Sequence, residues 1–460
     1  MSELTREKKR VINLLEGPIL PALSRLAVPI MATAFVQMAY NLTDMAWIGF
    51  LGSGPVAAVG AAGMFTWFSQ GLVNIAKMGG QVTVAQAVGA GKEDEARLFL
   101  SGCIRLTLFL AAAFALICLL AAEPMIGFFN LSSEATAREA VIYMRITCGL
   151  IVFPFLNQTL TGIYTSVGDS KTPFFANCIG LFGNMIFDPV LIFGVGPFPE
   201  MGVAGAAAAT VSAQAVVTAV LILMRKKSGS PVFESINIFK RTPRKYMERI
   251  ISIGFPSSVQ TMVYSSISMV LTRMAAGWGD TAVAVQRVGS QIESLAWMTG
   301  EGFGAAVNAF VAQNFGAGNL KRIRSCYRSS LIIMFIWGSL STAVLFFGAE
   351  PLFSLFIHEP EIIPEGANYL RIISYGEMFM CLELMTVGAL SGLGRTGVCS
   401  IISMSLTGAR IPIAMLLSST ALMLSGIWWA FTVSSIIKGI VFTAAFLIIF
   451  KNTEKRYAVS

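Results

Sequence analysis

Charged side chains are scarce in this sequence. Aspartate, glutamate, lysine and arginine make up 13% of the 460 residues, whereas hydrophobic residues make up 55% and the mean hydropathy is +0.71. A soluble domain carries about 25% charged residues, so this chain has too few to cover a water-facing surface of its size. The composition excludes a soluble enzyme and favours a protein embedded in a lipid bilayer.

Histidine and paired cysteine motifs are also scarce. His358 is the single histidine, which excludes any mechanism that needs two of them. The seven cysteines lie scattered in or beside apolar runs without a C-x-x-C pair, so they indicate neither a metal cage nor a disulfide framework. The segment Gly89–Lys92 resembles part of a phosphate-binding loop. That motif requires Gly where this chain has Gln86, and Ser or Thr where it has Glu93. We expect no cofactor and no ATP site.

Long apolar runs, by contrast, fill the chain. A membrane helix needs about 20 apolar residues plus a connection, so roughly 38 residues per unit gives about twelve helices. We predict spans at 18–48, 54–88, 98–121, 136–162, 173–196, 204–225, 247–275, 280–314, 327–348, 363–389, 397–420 and 426–450. The predicted fold class is an all-α polytopic membrane protein with twelve transmembrane helices.

The basic residues indicate how these helices are oriented. They cluster near the N-terminus, in alternate loops and near the C-terminus, most densely from Arg225 to Arg249, while the loops between are neutral or acidic. Loops rich in lysine and arginine face the cytoplasm, which predicts a multi-pass protein of the cytoplasmic membrane with both termini inside. The net charge of +8 follows from this topology, so we expect no nucleic-acid partner.

The two halves of the chain repeat each other. The same number of residues separates three pairs of landmarks: Pro29 from Pro256, Ala85–Gly91 from Ala312–Gly318, and Glu123–Pro124 from Glu350–Pro351. Each repeat holds six helices, an even number, so the two lobes are parallel and related by a pseudo-twofold axis along the membrane normal. We assign 1–225 to the N-terminal lobe, 226–246 to a cytoplasmic linker and 247–460 to the C-terminal lobe, with the substrate path between the lobes.

Three spans of the N-terminal lobe carry polar faces with helical spacing, and polar groups inside a membrane are functional candidates because they are costly there. The residues are Gln37, Tyr40, Asn41 and Asp44 in the first span, Asn177, Asn184 and Asp188 in the fifth, and Thr210, Gln214 and Thr218 in the sixth. Two carboxylates among amides and hydroxyls suit a small hard cation or a shared proton. A polar packing seam between helices is the alternative.

The C-terminal lobe lacks both acids. Leu271 stands at the position equivalent to Asp44, and the segment 409–412 aligns with Asn184–Asp188. Selection for helix packing alone should have left the two lobes more alike. The asymmetry therefore favours a dedicated cation site in the N-terminal lobe.

Other charged residues fall within predicted spans. Glu293 is our candidate for direct contact with substrate in the C-terminal lobe, and Glu301, Glu377 and Glu383 are weaker ones. Structural pairing with nearby bases is the alternative for all four acids. Lys77 in the second span could pair with an acid or extend towards the headgroups.

Several short motifs follow one another along nearly the whole chain. They are Pro29, Asn41-x-x-Asp44, Ala85–Gly91, Gly168–Pro173, Asn184-x-x-x-Asp188-Pro189, Gly202–Ala206 with Thr210, Glu293–Ala296, and Gln313–Gly318. In this order and spacing they resemble the MATE (multidrug and toxic compound extrusion) family of transporters. The resemblance implies two six-helix lobes forming a V. It also implies an antiporter, not an enzyme, that acts as a monomer and uses Na⁺ or H⁺ to export organic, mostly cationic, drugs by alternating access.

Within that family the pattern is similar to the DinF-type branch. This likeness implies that Asp44, Asn184, Asp188 and Thr210 surround the coupling cation, as Na⁺ ligands if sodium is used, and that Asn157 lies beside them. The other bacterial branch places a coupling acid on the seventh helix. In this chain the predicted seventh span has only one charged residue after Arg249, and that residue is a base, Arg273. The sequence therefore does not favour a site of that type.

Three other functions stay open at this point. A lipid-linked oligosaccharide flippase of the same superfamily would need a cationic groove for pyrophosphate, so bases facing the central cleft would favour it. An intramembrane enzyme such as a prenyl transferase typically needs clustered aspartates, and the one close cluster, Glu93–Glu95, lies in a loop. A passive channel would not explain why the second half has lost the acids.

Overall fold

The computed structural model describes residues 11–129, 131, 133–234 and 242–459, without the side chains of residues 53, 280, 458 and 459. The basic cluster at residues 6–10 and positions 235–241 of the predicted linker lie outside the described residues. Within the described ranges every regular element is a helix. Helices suit an apolar chain because they satisfy their backbone hydrogen bonds internally.

Fifteen α-helices follow one another in the described residues. They are α1 (Ile19–Gly49), α2 (Ser53–Gly89), α3 (Glu93–Gly127), α4 (Glu134–Gly149), α5 (Val152–Ser166), α6 (Lys171–Phe193), α7 (Gly202–Met224), α8 (Arg244–Ala276), α9 (Asp280–Gly316), α10 (Leu320–Phe347), α11 (Ala349–Ser354), α12 (Ile363–Gly392), α13 (Thr396–Gly408), α14 (Arg410–Ser418) and α15 (Met423–Val459). Short 3₁₀ turns at Arg225–Lys227 and Pro231–Phe233 follow α7.

Every predicted span falls on one of these helices or on a consecutive pair of them. Nine stretches of the described chain are long and apolar enough to cross a membrane, and the bent pair α4 and α5 makes a tenth. Helices α8 and α9, with 33 and 37 residues, are also long enough to cross a membrane, but they are not among these apolar stretches. The all-α membrane fold class is confirmed, and a layout of twelve spans is consistent with these helices.

Two predicted spans are divided rather than continuous. The span at 136–162 consists of α4 and α5, which meet at a bend of 44° after Gly149. The span at 397–420 consists of α13 and α14, which separate after Gly408. In both cases a proline, Pro154 or Pro412, lies in the first turn of the second helix, where its missing N–H costs no hydrogen bond.

Contacts divide the described chain into two compact units. The first unit contains Val28–Ser258 and the described residues up to Leu14. Its apolar core has two clusters, one that includes Phe155 and one that includes Tyr164. The ring of Phe233 lies 4.6 Å from that of Tyr164, so the beginning of the predicted linker packs on this unit.

The first turns of α8 also belong to the first unit. Gly254 lies against the backbone of Ile75 on α2 so closely that a Cβ there would clash. Nearby, the Nδ2 of Asn74 donates to the Oγ of Ser257 at 2.9 Å. The unit boundary therefore falls inside α8, after Ser258, and not within the predicted linker at 226–246.

The second unit contains Leu15–Ala27 together with the chain from Val259 onward. The rings of Tyr369 and Trp428 meet edge to face in its core, 5.2 Å apart. The guanidinium of Arg322 donates to the carbonyl oxygens of Glu16 and Gly17 at 2.9 and 2.7 Å. These bonds hold the chain just before α1 on the second unit, while α1 itself continues into the first.

Candidate functional site

The first unit brings the polar faces of α1, α6 and α7 together. Small residues near the start of α7 allow this approach, since a Cβ at Gly205 would clash with the carbonyl of Leu191 on α6. Close contact between membrane helices typically depends on such small residues. Pro189 follows Asp188 directly and, lacking an N–H, cannot donate to the carbonyl of Met185 in the preceding turn.

Asp44 on α1 meets Thr210 on α7. The Oγ1 of Thr210 donates to Asp44 Oδ1 at 3.3 Å. One turn earlier on α1, the hydroxyl of Tyr40 donates to the backbone carbonyl of Thr210 at 3.2 Å. Two successive turns of α1 are thus tied to one residue of α7.

Asp188 and Asn184 form the α6 side of the site, and both side chains are fully buried. The Nδ2 of Asn184 donates to Asp188 Oδ1 at 3.0 Å. The other oxygen of each side chain, Asp188 Oδ2 and Asn184 Oδ1, has no hydrogen-bond donor. Burying two acceptor oxygens without a donor costs free energy. The site is therefore suited to a hydrogen-bond donor or a cation.

No base neutralises these acids within the described residues. Asp44 lies within electrostatic range of Asp188, but neither carboxylate has a lysine, an arginine or a histidine nearby. Neighbouring negative charges repel and attract a shared proton or a cation. Carboxylate, amide and hydroxyl oxygens are also the ligands that hard cations prefer, so the donor set fits Na⁺ as well as H⁺.

Asn157 on α5 belongs to a network beside this site rather than to the site itself. Its Nδ2 donates to Gln214 Oε1 at 2.7 Å, and its Oδ1 accepts from the Oγ1 of Thr218 at 2.7 Å. Gln214 in turn lies near Tyr40, whose hydroxyl donates to the carbonyl of Thr210. The network therefore connects α5 through α7 to the α1 face that carries Asp44.

Three other predicted residues are not brought to the acids by any contact in the described chain. Gln37 and Asn41 have exposed side chains. Asn177 donates to the carbonyl of Pro173 on its own helix at 2.8 Å. Helical spacing placed all three on the same faces as the acids, but it could not show where those faces end.

Tyr143 on α4 is a site neighbour that sequence reasoning missed. Its side chain is buried, and it lies within electrostatic range of Asp44, Asp188 and Tyr40. Tyr369 stands at nearly the same interval in the second half, so Tyr143 belongs to the internal repeat. A tyrosine on the polar side of a membrane helix was the available signal.

Two candidate acids of the second unit, Glu293 and Glu383, have basic neighbours. Glu293, half-buried on α9, lies within electrostatic range of Arg410 and Lys438. The Nζ of Lys438 lies 2.9 Å from Glu383 Oε1, and both side chains are buried. Glu377 is the exception, because both of its carboxylate oxygens are buried without a hydrogen-bond partner.

Arg410 on α14 is held in place by residues of the next helix, α15. Its Nε donates to the Oγ of Ser434 at 3.1 Å, and its guanidinium stacks over Phe431 at 5.0 Å from the ring centroid. Only 5% of its surface is exposed. Arg410 and Lys438 therefore act within the core of the second unit.

The MatE family model matches this chain twice, over residues 29–190 and 256–416. The two matched segments agree with the internal repeat and together cover more than half of the chain. One relative is a probable multidrug resistance protein NorM of Thermotoga maritima, 28% identical over 400 residues, which cover 86% of this chain and 85% of the relative. Another is a protein of Shewanella oneidensis described as an FAD transporter, 25% identical over 81% of this chain and 83% of its own.

A solved structure has the same fold. A crystal structure of a MATE protein in the bent conformation superposes with a TM-score of 0.90 at 23% identity, over 97% of this chain and 99% of the other. At this level of identity the likeness concerns the fold alone.

Proposed function

Since this chain belongs to the MatE family, and is therefore a multi-pass membrane transporter and not an enzyme, we propose that it is a cation-coupled antiporter. It exports organic compounds across the cytoplasmic membrane by alternating access, with Na⁺ or H⁺ as the coupling ion. The relative described as a probable multidrug resistance protein supports drugs as the substrate class.

One observation carries this proposal. Asp188 and Asn184 are fully buried, each keeps an oxygen without a donor, and no base lies beside either Asp188 or Asp44 in the described residues. Acids that were fixed structural elements would have a permanent cationic partner. These acids instead are suited to a partner that arrives and leaves during a transport cycle.

The proposed mechanism joins ion binding to movement of α1. The ion binds between Asp188 and Asn184 of α6 and between Asp44 and Thr210 of α1 and α7. Its positive charge removes the repulsion between the two carboxylates and draws Asp44 towards α6. Pro29 lacks an N–H to close the preceding turn, so α1 can bend there without losing a further hydrogen bond. A shift of α1 then narrows the substrate path and expels the drug. The shift is reversed when the ion leaves.

The membrane potential can supply enough energy for this exchange. Moving one elementary charge through 100 mV releases about 2.3 kcal/mol, which supports a gradient of about fiftyfold for an electrically neutral substrate. ATP is not needed.

We propose a role for each residue of the site and its surroundings. Asp44, Asn184, Asp188 and Thr210 hold the ion, as in the DinF-type branch. Tyr40, Asn157, Gln214 and Tyr143 orient these ligands, while Gln37, Asn41, Asn177 and Glu293 are left for contact with substrate. We further propose that the protein works as a monomer with both termini in the cytoplasm.

A lipid-linked oligosaccharide flippase is the nearest rival. It would need a cationic groove for pyrophosphate, but in the second unit Lys438 is paired with Glu383, and Arg410 is bonded to Ser434 and stacked on Phe431. A single lysine of the first unit, Lys77, does not form such a groove. This engagement of the bases supports the drug exporter over the flippase.

Proteoliposomes with separately imposed gradients test the proposal. The purified chain should move a cationic dye such as ethidium when a Na⁺ or a pH gradient is imposed, and Asp188→Asn should abolish that gradient-driven movement. Fluorescence of the dye in the lumen gives the rate. The mechanism would be overturned if dye movement did not depend on either gradient. It would also be overturned if correctly inserted Asp188→Asn and Asp44→Asn proteins moved the dye at the wild-type rate.

A further inference from the structure

Helix α2 carries a second polar face in the first unit, separate from the acid pair. Gln70, Asn74, Lys77 and Gln81 recur at i, i+4, i+7 and i+11 and therefore lie on one side of the helix. The Nε2 of Gln158 on α5 donates to Gln70 Oε1 at 2.6 Å. The proposed antiport mechanism uses none of these side chains.

Lys77 is the one charged residue of this face, and its ammonium lacks an acidic partner. No hydrogen bond or ion pair of its Nζ occurs in the described residues. Lys438 of the second unit, in contrast, lies 2.9 Å from Glu383. An unpaired lysine in a membrane helix is costly and marks a functional position rather than a packing position.

The stem of Lys77 determines where its ammonium points. Its Cγ would lie 3.3 Å from a Cβ at Gly162, so the stem packs against α5 where that helix has no side chain. Side chains of a helix lean towards its N-terminus, which directs the ammonium towards the turns of Asn74 and Gln70. It therefore points away from Gly89, the nearer end of α2.

The fold does not require a lysine at this position. The repeat places Gly304 of α9 at the equivalent position in the second unit, where a Cβ would lie 2.6 Å from the carbonyl oxygen of Leu384. There the position serves close helix packing. In the first unit the same position carries a long cationic side chain, although the glycine opposite it on α5, Gly162, has a counterpart in Gly388 opposite Gly304.

We propose that Lys77 binds an acidic group, carboxylate or phosphate, of the transported compounds, so that the substrates include organic acids and amphoteric molecules. Gln70 accepts from Gln158 through its Oε1, which leaves its amide N–H groups to donate to another polar group of the same substrate, two turns along the helix. An ammonium binds carboxylates and phosphates through charge-assisted hydrogen bonds. This inference rests on the proposed function, since it names part of the substrate class.

Transport of three probes in proteoliposomes tests the inference. Ethidium is cationic, carboxyfluorescein carries carboxylates, and flavin mononucleotide carries a phosphate. The wild-type protein should transport ethidium and at least one of the two anionic probes. Lys77→Gln should raise the KM for that anionic probe about tenfold and leave the KM for ethidium within about twofold, because a charged hydrogen bond is lost for the anion alone.

Two further variants separate charge from folding. Lys77→Arg keeps the charge and should retain transport of the anionic probe, and Lys245→Gln removes an exposed lysine of the same unit and should change nothing. Equal loss of cationic and anionic transport in Lys77→Gln, the same anionic KM in Lys77→Arg and Lys77→Gln, or no transport of either anionic probe by the wild type would overturn the inference. Asp188→Asn should stop all three probes, and its failure to do so would count against the antiport mechanism, not against Lys77.

Discussion

The two units handle buried charge differently. In the second unit Glu383 is paired with Lys438, and Arg410 is fixed by Ser434 and Phe431. In the first unit Asp44 and Asp188 face amide, hydroxyl and phenol groups and no base in the described chain. On the proposed mechanism the paired charges of the second unit belong to its framework, whereas the acid pair of the first unit binds an exchangeable ion. Glu377, buried without a hydrogen-bond partner, is the acid of the second unit that departs from this contrast.

The largest expected effect is on transport in the first unit. Asp188→Asn should lower gradient-driven dye export at least about 100-fold, because an amide can neither bind a proton nor give Na⁺ a full negative charge. It should also leave the melting temperature unchanged or higher, since it removes an uncompensated buried charge. Export by proteoliposomes and thermal unfolding in detergent measure the two.

The matched control is Glu123→Gln. Glu123 is an exposed acid of the same unit, paired with Arg145 at 3.0 Å. This variant should export at the wild-type rate. Equal losses in both variants, or an unfolded Asp188→Asn protein, would contradict the contrast between the units.

The second effect is on stability in the second unit. Lys438→Met should cost about 3–5 kcal/mol, because it leaves the carboxylate of Glu383 buried without its cation. Adding Glu383→Gln should restore most of the loss. Unfolding in denaturant compares the single and double variants, and a single variant as stable as the wild type would show that the pair is not structural.

A smaller effect is expected at Thr210. Thr210→Val should weaken the affinity for the coupling ion about tenfold, because it removes the hydroxyl that donates to Asp44 and supplies an oxygen to the ion. Thr210→Ser keeps that oxygen and should behave as the wild type. The ion concentration that gives half-maximal export measures the change, and identical values for the valine and serine variants would exclude Thr210 as a ligand.

The smallest effect is expected at Glu377, the unpartnered acid of the second unit. If the first unit holds the coupling ion alone, Glu377→Gln should change the export rate less than about threefold, because glutamine has nearly the same shape. A loss as large as that of Asp188→Asn would place an ion site in the second unit too.

Much of the fold could be predicted because the bilayer imposes it. Apolar runs of about 20 residues and the alternation of basic loops are strong local signals, and each predicted span falls on a helix. The breaks at Gly149 and Gly408 were missed because Pro154 and Pro412 fall inside apolar runs that continue on both sides. The placement of Leu15–Ala27 on the second unit was also missed, since it depends on long-range contacts such as those of Arg322.

The candidate site was predicted in part. Helical spacing placed Asp44, Asn184, Asp188 and Thr210 on polar faces of three helices, and the structure joins them in two hydrogen-bonded pairs. Spacing could not distinguish them from Gln37, which shares a face of α1 but lies exposed. The reach of a neighbouring helix decides which polar residues meet, and a single sequence does not contain that information.

Ion release on drug binding tests the central claim most directly. Purified protein in a weak buffer, with Na⁺ or H⁺ preloaded, is titrated with a cationic drug while a Na⁺ electrode or a pH indicator records the free ion. The wild type should release the coupling ion as the drug binds, and the double variant Asp44→Asn, Asp188→Asn should release none. Drug binding without ion release by the wild type, or equal release by both proteins, would contradict the exchange at this acid pair.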